Sequence, residues 1–366
     1  MNRFGTIREG IHKVWPRVVE RLGPSVQLME VCGTHTVAIS RGGLRDLLPE
    51  GLRLISGPGC PVCVTDQTYM DRAVHLARQR RDVIIATYGD MVRVPGRLGS
   101  LEQARSAGAT VEVVYAAHEA VDLARRRPEE EVVFLAVGFE TTAPATALAL
   151  QQARREGLKN FSAFGAHKLI PPAMQALLSQ PDVRIDGFLC PGHVSVIIGW
   201  QAYQPIVDAH RRPCVVAGFE DEQIFAGLLE ILRQLAGGAP AACTVYPPVT
   251  AEGNTKALAV MHEVFEVADA PWRALGVIPQ SGLALKDTFA DFDAVRRFEM
   301  PEFDNYELPG CRCGDVICGR CFPVDCALFG TRCTPREPVG PCMVSSEGAC
   351  AAAYKYSRHQ GAGAKP

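Results

Sequence analysis

The sequence predicts an α/β fold: two Rossmann-like α/β lobes with parallel sheets, followed by a C-terminal region of a different kind. Three observations carry this. From about residue 25, β-rich apolar runs alternate with helical patterns. The runs are almost continuously apolar, as strands are when helices cover both faces of a parallel sheet. From Pro301 onward Pro, Gly and Cys dominate and periodicity fades.

In order, VQLMEV (26–31) precedes a helical stretch over 34–48, LRLISG (52–57) precedes 65–80, and DVIIATY (82–88) precedes 99–107. VEVVY (111–115) leads into 118–127, and EVVFLAVGF (131–139) into 142–156. NFSAFGAH (160–167), IDGFLCPG (185–192) and RPCVVAGF (212–219) continue the rhythm, each with a helical pattern after it. This places one lobe over 1–135 and a second over 136–250. Residues 251–366 form a C-terminal region, whose segment 301–366 needs a metal centre for its order. AVGFETT (136–142) and VAGFEDE (216–222) both follow a strand with Gly-Phe-Glu, either a trace of related lobes or a coincidence.

Length and composition bound the function. The 366 residues, 47% hydrophobic and 21% charged, suit two or three globular domains. A net charge of −2 removes the electrostatic footprint of a nucleic-acid binder. The best apolar run, VVFLAVGF (132–139), is far below the roughly 18 residues of a membrane span. The charged N-terminus carries no signal-peptide pattern. These features predict a cytoplasmic protein. Fourteen cysteines are then the anomaly, since reducing compartments favour metal or redox chemistry over structural disulfides.

The strongest local signal is SGPGCPVCVTDQ (56–67), where Cys60 and Cys63 lie between a strand and a helix as in thioredoxin-like motifs. Helix-start N–H groups would make one cysteine nucleophilic and leave the other to resolve the disulfide. Gly57 and Gly59 would turn the backbone tightly and leave the sulfurs accessible. The alternatives are two core cysteines or half a zinc site. In EVCGTHT (30–36), Cys32 ends the first strand, Gly33 removes steric cover, and His35 stands near enough to share a soft or borderline metal such as iron. A purely structural Cys–His pair is the other reading.

Glu140 in GFETTAPAT (138–146) is a base, a metal ligand or the support of a helix cap, with Thr141 or Thr142 capping the next helix. His193 in CPGHVSVIIG (190–199) has the same range of readings, while Cys190 reads as core. In YGDMVRVPG (88–96), Asp90 and Arg93 suggest a salt bridge within the loop. Cysteines 311, 313, 318, 321, 326, 333, 342 and 350 fall within forty residues. Four thiolates can hold a [4Fe–4S] cluster, so eight candidates exceed the need. Only Cys318 and Cys321 form a close Cys-x-x-Cys pair, which disfavours a zinc ribbon.

Together the motifs CGTHT (32–36), GPGCPVC (57–63), TYGDMVRVPG (87–96), GFETTAP (138–144), HKLIPPAM (167–174), PGHVS (191–195), EGN (252–254), FGTRCTP (329–335) and MVSSEGAC (343–350) resemble the HypD family of [NiFe]-hydrogenase accessory proteins. The resemblance runs over nearly the whole chain. It implies two α/β lobes around a cleft, with a C-terminal [4Fe–4S] domain, acting as a scaffold rather than a turnover enzyme. It further implies a HypC-type chaperone and a HypE-type cyanide donor as partners, and assembly of iron carrying two cyanides and one carbon monoxide, Fe(CN)2CO.

Carried over by motif, Cys32 is a thiol at the iron site and Cys60 with Cys63 the redox pair. Cys313, Cys326, Cys333 and Cys350 fit the family's cluster spacing, with Cys342 the main rival, and Cys318 and Cys321 fall outside that pattern. Glu140 and His193 would line the cleft as outer-shell groups or proton donors. A rival class is a stand-alone thiol–disulfide oxidoreductase resembling ferredoxin:thioredoxin reductase, and a third is a structural zinc protein.

Overall fold

A computed structural model describes residues 3–356. Met1, Asn2 and the last ten residues of the expected segment 301–366 lie outside the described residues. Helix α1 (Arg3–Leu22) leads into β1 (Val26–Glu30), α2 (Gly33–Arg41), β2 (Leu52–Ser56), α3 (Pro61–Val64) and α4 (Gln67–Gln79). Next come β3 (Val83–Thr87), α5 (Gly89–Val92), α6 (Leu101–Ser106), β4 (Thr110–Val113) and α7 (Ala117–Arg126). They are followed by β5 (Glu131–Gly138), α8 (Ala143–Glu156), β6 (Phe161–His167), α9 (Ile170–Leu178) and β7 (Gly187–Pro191). Then α10 (Gly192–Ile198), α11 (Gln204–His210), β8 (Cys214–Ala217), α12 (Asp221–Gly237) and β9 (Ala242–Thr244) complete the alternation. Helix α13 (Thr255–Val264) precedes a hairpin of β10 (Phe265–Trp272) and β11 (Gly276–Leu285). Four short helices follow: α14 (Ala294–Arg297), α15 (Cys313–Ile317), α16 (Pro341–Val344) and α17 (Ala349–Tyr356).

The mixed α/β class and the parallel sheets agree with the sequence. One sheet has the order β2-β1-β7-β8-β9 and the other β4-β3-β5-β6, and every pairing in both is parallel. Division into consecutive lobes at 135/136 does not describe this arrangement. That boundary falls inside β5, and the chain leaves the first sheet after β2, builds the whole second sheet, then returns at β7 to pair Gly187 with Leu28. Local apolar patterning specifies a strand but not its partner, so the interleaving is invisible to it.

Alternation explains why the strands read as unbroken apolar runs. In β5, Val133, Leu135 and Val137 enter the core shared by both sheets, whereas Val132, Phe134 and Ala136 enter a second core beneath α7, α8 and α13. In β8, Cys214 and Val216 face the shared core, and Val215 and Ala217 face a third core formed with α1 and α12. Each fully buried large side chain contributes about 1.5–3 kcal/mol.

Both sheets reverse direction beside their first strand, so β1, β2, β7 and β8 correspond in order to β3, β4, β5 and β6. The Gly-Phe-Glu repeats then fall on non-equivalent strands, β5 and β8, and do not mark matching positions. The cysteine-rich segment packs as a third layer, with α17 on α2 and with α15 and α16 on α3. Among the described residues no helix is long and apolar enough to cross a membrane.

Candidate functional site

Open parallel sheets bind ligands beyond their carboxyl edges, where the strand order reverses. In the first sheet that point lies between β1 and β7, and Cys32, Cys60 and His193 follow β1, β2 and β7 there. In the second sheet it lies between β3 and β5, which lead to Asp90 and Glu140.

Cys32 is the N-cap residue of α2 and is only 8% exposed. Burial pushes its thiol up to about 12, with Glu347 and Glu30 adding to the rise while main-chain N–H groups at His35 and Thr34 oppose it. Gly33 therefore does not uncover the sulfur; a Cβ there would lie 2.4 Å from Glu347 Cβ, so the glycine admits the C-terminal segment instead. Glu30, fully buried, accepts from the Cys32 main-chain N–H at 3.0 Å and from the Thr36 hydroxyl at 2.5 Å. Burial raises its carboxyl to about 7.

His35 is buried with Nε2 donating to the Gly218 carbonyl at 2.9 Å, and burial lowers its imidazole to about 4. The ring is thus held toward the end of β8, and Nδ1 is its nitrogen without a partner among the described residues. Its neighbour Phe219, 4.9 Å away between ring centroids, also packs at a tilt against the exposed His193 at 3.9 Å.

Cys60 and Cys63 form a disulfide, with Cys60 at the N-cap of α3 and its Sγ accepting from the Cys63 N–H at 3.2 Å. The pair is not open to solvent as the glycines suggested: Cys60 is 4% exposed and Cys63 fully buried. Gly59 instead permits contact with the first motif, since a Cβ there would lie 2.2 Å from the Cys32 nitrogen, and its carbonyl accepts from Gly33 N–H at 2.8 Å. Cys32 and the disulfide are therefore neighbours.

Glu140 supports a cap, though for α9 rather than α8. Its Oε1 accepts from the Ile170 N–H at 2.9 Å, its buried Oε2 has no partner among the described residues, and burial lifts the carboxyl to about 7. The expected cap on α8 is absent, because the Thr142 hydroxyl donates to the Phe139 carbonyl at 3.1 Å. Cys190 is fully buried in β7, as read from sequence.

Six cysteines of the C-terminal segment, Cys311, Cys313, Cys326, Cys333, Cys342 and Cys350, line one cavity with Leu328, Phe329, Gly340 and Met343. All four expected ligands belong to it, together with the rival Cys342 and with Cys311. Cys342 Sγ accepts from the Cys350 N–H at 3.2 Å, and a separate thiol–thiol hydrogen bond between the two lowers the Cys342 thiol while raising that of Cys350. Among the described residues no group of three His, Cys, Asp or Glu is arranged to hold a single metal ion. The donor set is nonetheless all sulfur in an apolar surround, which suits an iron–sulfur cluster and not a hard cation. Cys318 turns into the core, fully buried, while Cys321 is half-buried beside Arg312 and Asp315; both lie outside this cavity.

Asp90 and Arg93 do not pair within their loop. Asp90 Oδ2 accepts from the Ser345 hydroxyl at 2.9 Å and the Ser346 N–H at 3.2 Å, and Arg93 Nη2 donates to the Pro335 carbonyl at 2.7 Å. Sequence reasoning also passed over Glu30, Glu347 and Arg273. Glu30 had one signal, a carboxylate closing an apolar strand; the other two had none.

Two parallel sheets carrying thiols at adjacent strand ends, closed by a cysteine-lined segment, define a sulfur-bearing α/β protein. The HypD family, described as "Hydrogenase formation hypA family", matches residues 7–357. The chain is 48% identical over 355 residues to the hydrogenase maturation factor HypD of Azotobacter vinelandii, covering 94% of this chain and 93% of that one. It is 46% identical over 351 residues to the HypD of Cupriavidus necator, covering 93% and 92%, and 45% identical over 364 residues to that of Rhodobacter capsulatus, covering 97% and 96%. The chain belongs to the HypD family of hydrogenase maturation factors.

Proposed function

We propose that the chain is a cytoplasmic scaffold on which the Fe(CN)2CO unit of a [NiFe] centre is assembled with a HypC-type chaperone and a HypE-type cyanide donor. The observation that supports this reading best is the contact of the Cys32 and Cys60–Cys63 loops at neighbouring strand ends, with a cysteine-lined segment folded against both.

Iron is the cargo. Cys32 is the thiol that takes it, giving up its proton on binding, and Glu30 at 3.0 Å from the Cys32 nitrogen is a buried carboxyl poised to receive one. Reduction of the Cys60–Cys63 disulfide consumes two electrons and two protons and frees two more thiols beside Cys32. Cys313, Cys326, Cys333 and Cys350 would hold a [4Fe–4S] cluster, which when bound supplies electrons one at a time. His35 Nδ1, buried and unpartnered among the described residues, is the nitrogen left for a metal, and Glu140 and His193 serve the cleft as proton-holding groups. Arg273 and the Asp90, Thr34 and Glu347 contacts keep the parts in register.

The test is anaerobic co-expression with HypC-type and HypE-type partners. A co-eluting complex carrying iron and showing infrared bands of cyanide and carbon monoxide is expected. Turnover of soluble protein disulfides by the isolated chain, without association, would favour the stand-alone oxidoreductase.

A further inference from the structure

Arg273 stands between the two sulfur sites. It is 3% exposed, in the turn that joins β10 to β11. Its Nε donates to the Cys63 carbonyl at 2.9 Å and Nη2 to the Thr65 carbonyl at 2.7 Å, while its main-chain N–H donates to the Val64 carbonyl at 2.9 Å. Three consecutive carbonyls of the disulfide loop are thereby held by one residue. Nη1 is buried and has no partner among the described residues. Of the groups that act on the guanidinium by charge, Cys313 is foremost, followed by Asp66 and Cys311. Arg273, Cys311 and Cys313 also line one polar cavity of about 260 Å³. A guanidinium does not deprotonate, so this is a permanent buried cation with one donor group left open.

We propose that Arg273 is a positioning residue that couples the disulfide to the cysteine cavity. Through Nε and Nη2 it fixes the Cys63–Thr65 backbone. Its guanidinium shares a cavity and a charge interaction with Cys311 and Cys313, where sulfur becomes anionic once it ligates metal. Its charge favours the reduced state of the pair: the S–S bond breaks, two electrons and two protons enter, and the more acidic thiol releases its proton within the loop whose carbonyls the cation holds. The link to a bound cluster rests on the function proposed above. The effect on the disulfide does not.

The experiment therefore starts with the full-length, metal-free protein equilibrated against dithiothreitol, whose two thiols supply the electrons and protons as it closes to its cyclic disulfide. Alkylation and mass spectrometry then report the fraction of Cys60–Cys63 reduced. Arg273→Met should make the disulfide about tenfold harder to reduce, whereas Arg273→Lys should stay within about threefold of the parent. Asp66→Asn removes an opposing charge and keeps a good N-cap for α4, so it should shift the equilibrium the other way. A folded Arg273→Met with unchanged equilibrium overturns the proposal; should that variant not fold, an unmoved Asp66→Asn does so. In protein reconstituted with iron and sulfide, Arg273→Met should also lower the cluster's midpoint potential. Failure to bind a cluster at all counts against the function proposed above and leaves the disulfide result standing.

Discussion

Thr34 and Glu347 are 313 residues apart, yet the Thr34 hydroxyl donates to Glu347 Oε1 at 3.0 Å. The contact joins the first turn of α2, beside Cys32, to the bend that leads into Cys350. Asp90 grips the same bend from the other sheet, through Ser345 and Ser346. The strand ends of both sheets thus hold one C-terminal segment.

Closing that segment against α2 requires a glycine at 33. Gly33→Ala should destabilise the protein by about 1–3 kcal/mol through overpacking, because the clash is with Glu347 Cβ and its carbonyl as well as with the movable carboxylate tip. Urea unfolding measures this, and Cys350 should alkylate faster in the variant. An unchanged midpoint would show that the bend yields without cost.

The cavity predicts which cysteines matter for iron. After anaerobic reconstitution, serine at Cys313, Cys326, Cys333 or Cys350 should each sharply reduce bound iron, sulfide and the absorption near 400 nm. Serine at Cys318 or Cys321, outside the cavity, should leave them near the parent values. Loss with Cys342→Ser but not with Cys313→Ser would reassign the ligand set.

Cys32 should be a slow nucleophile in the isolated chain. With its thiol near 12 and its surface 8% exposed, alkylation at pH 7 should be far slower than for a cysteine peptide and should rise through pH 10 without a plateau. Fast modification at pH 7 would mean that the loop opens by itself.

Glu140 gives a pH signature. Its carboxyl titrates near 7 in the fold against 4.5 in the unfolded chain, so the native state binds more protons between those values and stability falls as pH rises through that window. Glu140→Gln keeps the acceptor for Ile170 and removes the buried charge. The two proteins should match near pH 4.5 and separate above it, the variant being more stable by about 2–3 kcal/mol at pH 8. Parallel stability curves would place the titration elsewhere.

Much of the site was legible from short motifs. Cys32, Cys60, Cys63 and Glu140 each follow an apolar strand, and a strand followed by glycine and a chemically active residue is a local pattern that needs no knowledge of partners. Their accessibility was not legible. Gly33 and Gly59 read equally well as uncovering sulfur or as admitting another backbone, and only the packed neighbours, Glu347 and Cys32 itself, decide between these. The Asp90–Arg93 pair failed for the same reason: both side chains found better-placed partners more than 240 residues away.

By itself, then, the sequence determined the α/β class, the positions of β1 to β8 though not of β9 or the β10–β11 hairpin, the thiols at strand ends and the family, because side-chain period and motif spacing act over about ten residues. Only the tertiary structure decided that the two sheets interleave, that six cysteines share one cavity, and that Arg273 holds the disulfide loop. Those outcomes turn on which distant surfaces bury each other's apolar and hydrogen-bonding groups, a property of the whole packed chain and of no segment within it.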